Sequence, residues 1–130
     1  MSAGLPLVGR TLVVTRATDQ AGTLSAALAA RGAQVVELPV IAVADPVDGG
    51  AALASAVAGV AAYDWVVVTS PNGARRVADR LGGMVPSDTR FAAIGPRTAV
   101  PLLAAGLAVD LIPSRAVAEG LLEEFPSPPD

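Results

Sequence analysis

Tyr63-Asp64-Trp65-Val66-Val67-Val68-Thr69-Ser70-Pro71-Asn72-Gly73 and Phe91-Ala92-Ala93-Ile94-Gly95-Pro96-Arg97-Thr98-Ala99 decide the fold. In each, a short apolar run predicts a buried strand, which ends in small hydroxyl or glycine residues where a helical pattern begins. Such a junction presents backbone N–H groups and hydroxyls to a ligand, favourably to an anionic one.

Upstream of the first junction, Leu53, Val57 and Val60 fall on one face of a helix expected over 51–62, ahead of the strand Trp65–Thr69. Downstream come a helix over Asn72–Leu81, a Gly82-Gly83 turn and the strand Phe91–Ile94. A helix over Thr98–Ala105, a strand over Val109–Ile112 and a helix over Val117–Phe125 follow. Near the N-terminus Leu12–Thr15 reads as a short, fully buried strand. Thr18 or Asp19 is placed to cap a helix carrying Ala21, Leu24, Ala27 and Leu28. Gly32 stands where a left-handed residue would stop that helix, and Val35–Leu38 forms the next strand. Strands alternating with helices of about ten residues predict a doubly wound α/β fold with parallel sheets covered by helices. Between the two groups of elements, Val40–Gly50 is either an extended connection between lobes or an ordinary surface loop. Three prolines close the tail after Phe125, which neither continues a helix nor adds a strand.

Gly32 to Pro39 and Gly106 to Pro113 share the pattern Gly-x-x-Val-x-x-x-Pro. The echo fits two related lobes, and equally the recurrence of helix stop, strand and terminal proline in any α/β protein.

The composition agrees with this architecture and narrows the chemistry. Of 130 residues 52% are hydrophobic and 3% aromatic, so the core is aliphatic, as parallel sheets require. All nine basic residues are arginine, scattered over a chain of net charge −3, so no basic stripe exists to follow a nucleic-acid backbone. Without Cys or His there is no disulfide framework, no thiolate, no Ser-His or Cys-His nucleophile and no ordinary zinc site. No apolar run approaches the ~20 residues of a membrane span, and residues 1–9 lack the pattern of a signal peptide. A soluble, cytoplasmic protein is expected.

Ser70 is a good helix cap, and Pro71 suits the first helical position, where its missing N–H costs nothing. In open parallel sheets ligands bind beyond the carboxyl ends of the strands, where Thr69 and Ser70 lie. Gly95 allows a close approach to the backbone, and Thr98 faces the same crevice from the next helix start. Thr15-Arg16 ends the first strand similarly. Arg16 is either a carboxylate contact or a solvated strand-end arginine. There is no phosphate loop and no Gly-x-Gly-x-x-Gly after a strand. The carboxylates Glu37, Asp64, Asp79 and Glu119 make no recognisable acid–base pair.

The chain resembles the uroporphyrinogen-III synthase family. The resemblance lies in Val14-Thr15-Arg16, in Gln20-Ala21 with Leu24 and Leu28, in Gly32 through Pro39 and in Tyr63-Asp64-Trp65. It continues in Thr69-Ser70-Pro71-Asn72, Ile94-Gly95 with Thr98-Ala99, and Ala118-Glu119-Gly120-Leu121-Leu122. It implies two flavodoxin-like lobes, and a substrate, hydroxymethylbilane, that is a linear tetrapyrrole with eight carboxylates. The implied reaction loses water and closes the ring with inversion of the last pyrrole through a spiro intermediate, with no cofactor. The bilane also cyclises unaided to the uninverted isomer, so the family's task is to dictate geometry. Orientation of that kind supplies roughly 7–11 kcal/mol. On this resemblance Ser70 and Thr98 are the catalytic candidates, and Thr15, Arg16, Thr69, Asn72 and Gly95 the substrate-binding ones.

Family members run to roughly twice this length, with the site between the lobes, so both lobes are expected to be incomplete here. Residues 1–40 correspond to the opening β-α-β of a discontinuous first lobe, 41–125 to most of a second, and 126–130 to a Pro-rich tail. The later tyrosine that the family credits with protonating the leaving hydroxyl has no counterpart, and Tyr63 reads as structural. A fragmentary synthase, inactive alone and prone to self-association through open sheet edges, is the resulting expectation. The alternative is a non-catalytic tetrapyrrole-binding or regulatory domain on the same scaffold. A receiver domain is set aside, because the strands end in Thr15-Arg16 and Thr69-Ser70 where acidic residues would be needed.

Overall fold

A computed structural model describes residues 4–127, which divide into two compact units, one up to Pro46 and the other from Val47 onward. The first contains β1 (Thr11–Val14), α1 (Thr18–Ala29) and β2 (Gln34–Glu37). The second contains α2 (Ala51–Ala58), a 3₁₀ turn (Val60–Ala62), β3 (Trp65–Val68), α3 (Pro71–Leu81), β4 (Arg90–Ala93), α4 (Pro96–Ala104) and α5 (Ala118–Glu124). The protein is therefore α/β, with parallel strand pairs covered by helices. Residues 38–46, where the units divide, carry no helix or strand. No helix among the described residues is long and apolar enough to cross a membrane.

In the first unit β1 and β2 pair in parallel, with Thr11 opposite Gln34 and Val14 opposite Glu37. α1 packs on both strands. Gly32 follows α1 at φ 93°, and a side chain there would strike Val8 Cγ2. Two sequence expectations fail in this unit. The residue before α1 is Ala17, and neither Thr18 nor Asp19 caps the helix with its side chain. The strand is not fully buried either. With α1 on one face only, Val14 is buried while its neighbour Val13 is 56% exposed, the period-2 alternation of a one-sided sheet.

The second unit holds the larger core. β3 and β4 pair in parallel with Val68 opposite Ala93, and β4 is the inner strand: Phe91, Ala92 and Ala93 are all buried. Leu102 of α4, Leu81 of α3 and Val57 of α2 close over it. Gly59 ends α2 earlier than the hydrophobic pattern suggests, and the chain tightens into the 3₁₀ turn, still burying Val60. Gly82 and Gly83 both adopt positive φ after α3, as the turn requires.

The strand expected over 109–112 shrinks to a single parallel bridge between Ala92 and Leu111. Asp110 is the cause. Its carboxylate Oδ2 accepts the Phe91 N–H at 2.8 Å, the donor that a continuing ladder would give to the carbonyl of Val109. A side chain has displaced a backbone bond, and the strand ends there.

Asp48 anchors the start of the second unit. Its carboxylate accepts the N–H of Ala52 at 2.9 Å and that of Gly50 at 2.8 Å, and these bonds, the Ala52 one foremost, hold its pKa below the ordinary value. Glu124 is lowered likewise, first by the Ser114 hydroxyl and then by the Ser114 N–H. A carboxylate with a depressed folded-state pKa stabilises above its unfolded value, and that stability is lost as pH falls through the folded one. Acid unfolding of the second unit is therefore expected to begin below about pH 4. In Asp48→Asn the stability at neutral pH drops and the dependence on pH in this window flattens, which urea titrations between neutral and acid pH will show.

Candidate functional site

The register of β3 and β4 sets two helix starts side by side at the carboxyl end of the sheet. After Val68 the chain passes through Thr69 and Ser70 into α3; after Ala93 it passes through Ile94 and Gly95 into α4, and the two helices pack on each other. Ser70 has extended backbone, and its Oγ accepts the Gly73 N–H at 3.0 Å, the capping role its sequence position predicts. The hydroxyl proton is thereby left to donate outward. Thr69 is exposed, while Asn72 is half-buried with its Oδ1 accepting from Arg75 at 3.4 Å.

Each start offers fewer backbone donors than the motifs suggest. Pro71 and Pro96 occupy the first helical positions and have no N–H. At α3 the Gly73 and Ala74 N–H groups are taken by Ser70, and at α4 the Thr98 and Ala99 N–H groups both go to the Gly95 carbonyl. One open backbone donor remains in each first turn, Asn72 N–H and Arg97 N–H. An anion held here relies on side chains as much as on the backbone.

Gly95 and Thr98 are both buried, Thr98 at 4% exposure. The Gly95 backbone is extended at φ −173°, a conformation open to any residue, so the requirement for glycine is one of space. A Cβ at Gly95 would lie 2.7 Å from Ala116 Cβ. The close approach that the sequence predicts at this glycine is thus made by the chain's own 114–117 segment. Gly120 fixes the same segment from the other side, where a side chain would collide with the Arg115 carbonyl oxygen. Glu123 pairs with Arg115 and Glu124 with Ser114. Sequence reasoning missed this strap; the signal available was a pair of glycines flanking it, and nothing local says what they meet.

Thr15 and Arg16 follow β1 in the first unit, both exposed, with the Thr15 carbonyl accepting the Val40 N–H at 3.4 Å. The second unit brings together Thr69, Ser70, Asn72, Gly95 and Thr98, and does so without them.

A cavity of about 400 Å³ opens at the opposite end of the sheet, between residues 85–91, Leu107, Ala108 and Asp110. Its carboxylates are engaged, Asp110 by Phe91 N–H and Asp88 by the Ser87 hydroxyl, and Arg90 lies over the Trp65 ring at 5.4 Å. No group of three or more His, Cys, Asp or Glu among the described residues is placed to hold a metal ion.

Fold and site together define an α/β protein in which two parallel strand ends open side by side into helix starts that carry hydroxyls. Residues 22–130 match the family described as Uroporphyrinogen-III synthase HemD. The chain belongs to that family. It is similar to a uroporphyrinogen-III synthase of Synechococcus elongatus, 36% identical over 127 residues, covering 95% of this chain and 48% of that protein. It is also similar to a porphyrin biosynthesis protein HemD of Ruminiclostridium josui, 33% identical over 127 residues, covering 91% of this chain and 25% of that protein. The chain thus spans about half the length of one curated relative and a quarter of the other.

Proposed function

We propose that the chain is the hydroxymethylbilane-binding part of a uroporphyrinogen-III synthase, acting in tetrapyrrole biosynthesis in the cytoplasm. The observation that carries this reading is the match over 22–130, which includes both strand-to-helix junctions at the carboxyl end of the second unit's sheet. The reaction closes the ring by joining the hydroxymethyl carbon to the last pyrrole, with that ring inverted, and releases the hydroxyl as water.

In this reading the free hydroxyl of Ser70 donates a hydrogen bond at the reacting end, and Thr98 supplies a second hydroxyl there. Thr69, Asn72 and Gly95 hold the carboxylated side arms, with Thr15 and Arg16 contributing from the first unit. None of these groups is a strong acid or base. Their part is to hold the last pyrrole in the orientation that the unaided reaction does not select, and orientation is a sufficient source of rate. No cofactor enters.

The hydroxyls and open N–H groups of the site would serve binding equally well without turnover, so a tetrapyrrole-binding domain is the second reading. Freshly generated hydroxymethylbilane, presented to the 130-residue chain with products resolved by isomer after oxidation, tests both. We expect the type I isomer to dominate at the unaided rate, with saturable binding of the bilane. Sustained type III product would show that these residues suffice for catalysis, and absence of binding would refute both readings. The exposed apolar residues of the first sheet, Val13 at 56% and Val36 at 47%, favour self-association. Light scattering on the same sample is expected to show species larger than a monomer.

A further inference from the structure

The Gly95-Pro96-Arg97-Thr98 turn contains a charge that the proposed roles leave unused. Arg97 is exposed at the second position of α4, and neither α3 nor α4 has an acidic residue in its first turn. A cation at this end of a helix faces the positive pole of the macrodipole, so the placement is unfavourable for the chain by itself.

The other arginines of the second unit are all engaged. Arg75 bonds Asn72, Arg80 the Gly49 carbonyl, Arg90 lies over Trp65, Arg115 pairs with Glu123, and Arg76 also has a partner. Among the described residues of this unit, Arg97 is the arginine whose guanidinium has no partner. Its N–H is also the open backbone donor of α4's first turn.

A second observation points to the same place. Thr98 is buried at 4% exposure, and its hydroxyl makes no hydrogen bond among the described residues; the fully enclosed side-chain oxygen without a partner is Ser25 Oγ, so the Thr98 hydroxyl keeps contact with solvent. Helix side chains lean toward the N-terminus, so this hydroxyl is directed back to the start of α4. An unpaired guanidinium, an open N–H and an unpartnered hydroxyl therefore converge on one short turn.

We infer that Arg97 is a specificity-determining residue that anchors one carboxylate side arm of the tetrapyrrole at the start of α4, beside the Thr98 hydroxyl. The inference rests on the reading above and adds a residue and a charge to it. The carboxylate neutralises the cation where the helix end disfavours it, and guanidinium and N–H together present a forked set of donors. Arg16, in the other unit, is not needed for this contact.

Uroporphyrin, a stable octacarboxylate, and coproporphyrin, a tetracarboxylate, are suitable probes for titration of the 130-residue chain by fluorescence. Wild type is expected to prefer uroporphyrin. Arg97→Gln should weaken uroporphyrin binding about tenfold, which corresponds to about 1.4 kcal/mol. It should also narrow the preference over coproporphyrin and reduce the salt dependence, with Arg97→Lys intermediate. Because the substitution removes a cation from the positive helix end, the thermal midpoint should stay the same or rise, which a purely structural role for Arg97 would not produce. Equal uroporphyrin affinity in wild type and Arg97→Gln would overturn the role of Arg97 and leave the binding reading intact. Failure of wild type to bind either porphyrin would overturn both.

Discussion

Ser70→Asp is expected to leave the chain folded while lowering its affinity for uroporphyrin by about thirtyfold, the equivalent of about 2 kcal/mol. The fold survives because aspartate is as good a helix cap as serine and its charge suits the N-terminal end of α3. Its carboxylate can take over the Gly73 N–H that Ser70 Oγ now accepts. Binding weakens, because the outward proton is lost and a negative charge stands where carboxylated side arms would lie. Ser70→Ala separates the components: it removes cap and hydroxyl together and should cost about 1 kcal/mol of stability. Ser70→Gly keeps most of the stability and lacks only the hydroxyl. Uroporphyrin titrations and thermal melts of the three variants check these outcomes. Undiminished affinity in Ser70→Asp would place the ligand away from α3.

Leu102→Ala should have the largest effect on folding, about 2–5 kcal/mol. Leu102 is fully buried on α4 and belongs to the aliphatic cluster that holds the second unit together. Few aromatic residues are available to fill the vacated space, so a cavity is expected to persist. For a domain with total stability of about 5–15 kcal/mol, that loss threatens the native state. Val13→Ser is the comparison: at 56% exposure it should change stability by no more than about 0.5 kcal/mol. Urea unfolding followed through Trp65 reports on Leu102→Ala directly, because that residue begins β3. A loss below about 1 kcal/mol would mean that α4 is not packed on the core as described.

Element order was legible wherever a strong local pattern and its punctuation coincided. Trp65–Val68 and Phe91–Ala93 are continuous apolar runs closed by small residues, and both are strands within one residue of expectation. Ser70 and Pro71 mark the start of α3 by the chemistry of capping alone. Boundaries failed where a partner distant in sequence intervened. The strand expected over 109–112 fails because the Asp110 carboxylate takes the N–H of a residue 19 positions earlier and cuts the ladder to one bridge. Val13 looked buried because apolar runs do not reveal how many faces of a sheet are covered.

At the site, the residue types were readable and their availability was not. Hydroxyls and a glycine at strand ends singled out Thr69, Ser70, Gly95 and Thr98, and Asn72 came with the family resemblance; the parallel register sets the two strand ends side by side. The residues also carry the resemblance to the synthase family, which the match over 22–130 supports. That Pro71 and Pro96 with the caps leave one open N–H per helix, that Ala116 occupies the space before Gly95, and that Arg97 alone lacks a partner among the described arginines of its unit emerged only from the fold.

The division has a physical basis. Turn chemistry, capping and hydrophobic period are properties of neighbouring residues, so the sequence by itself determined the α/β class, the start of α3 and the residue types at the strand ends. Which donors stay free, which glycine is filled and which charge is unpaired depend on groups brought together from far along the chain. Those were decided by tertiary structure, because a hydrogen bond or an ion pair is settled by the geometry of both partners.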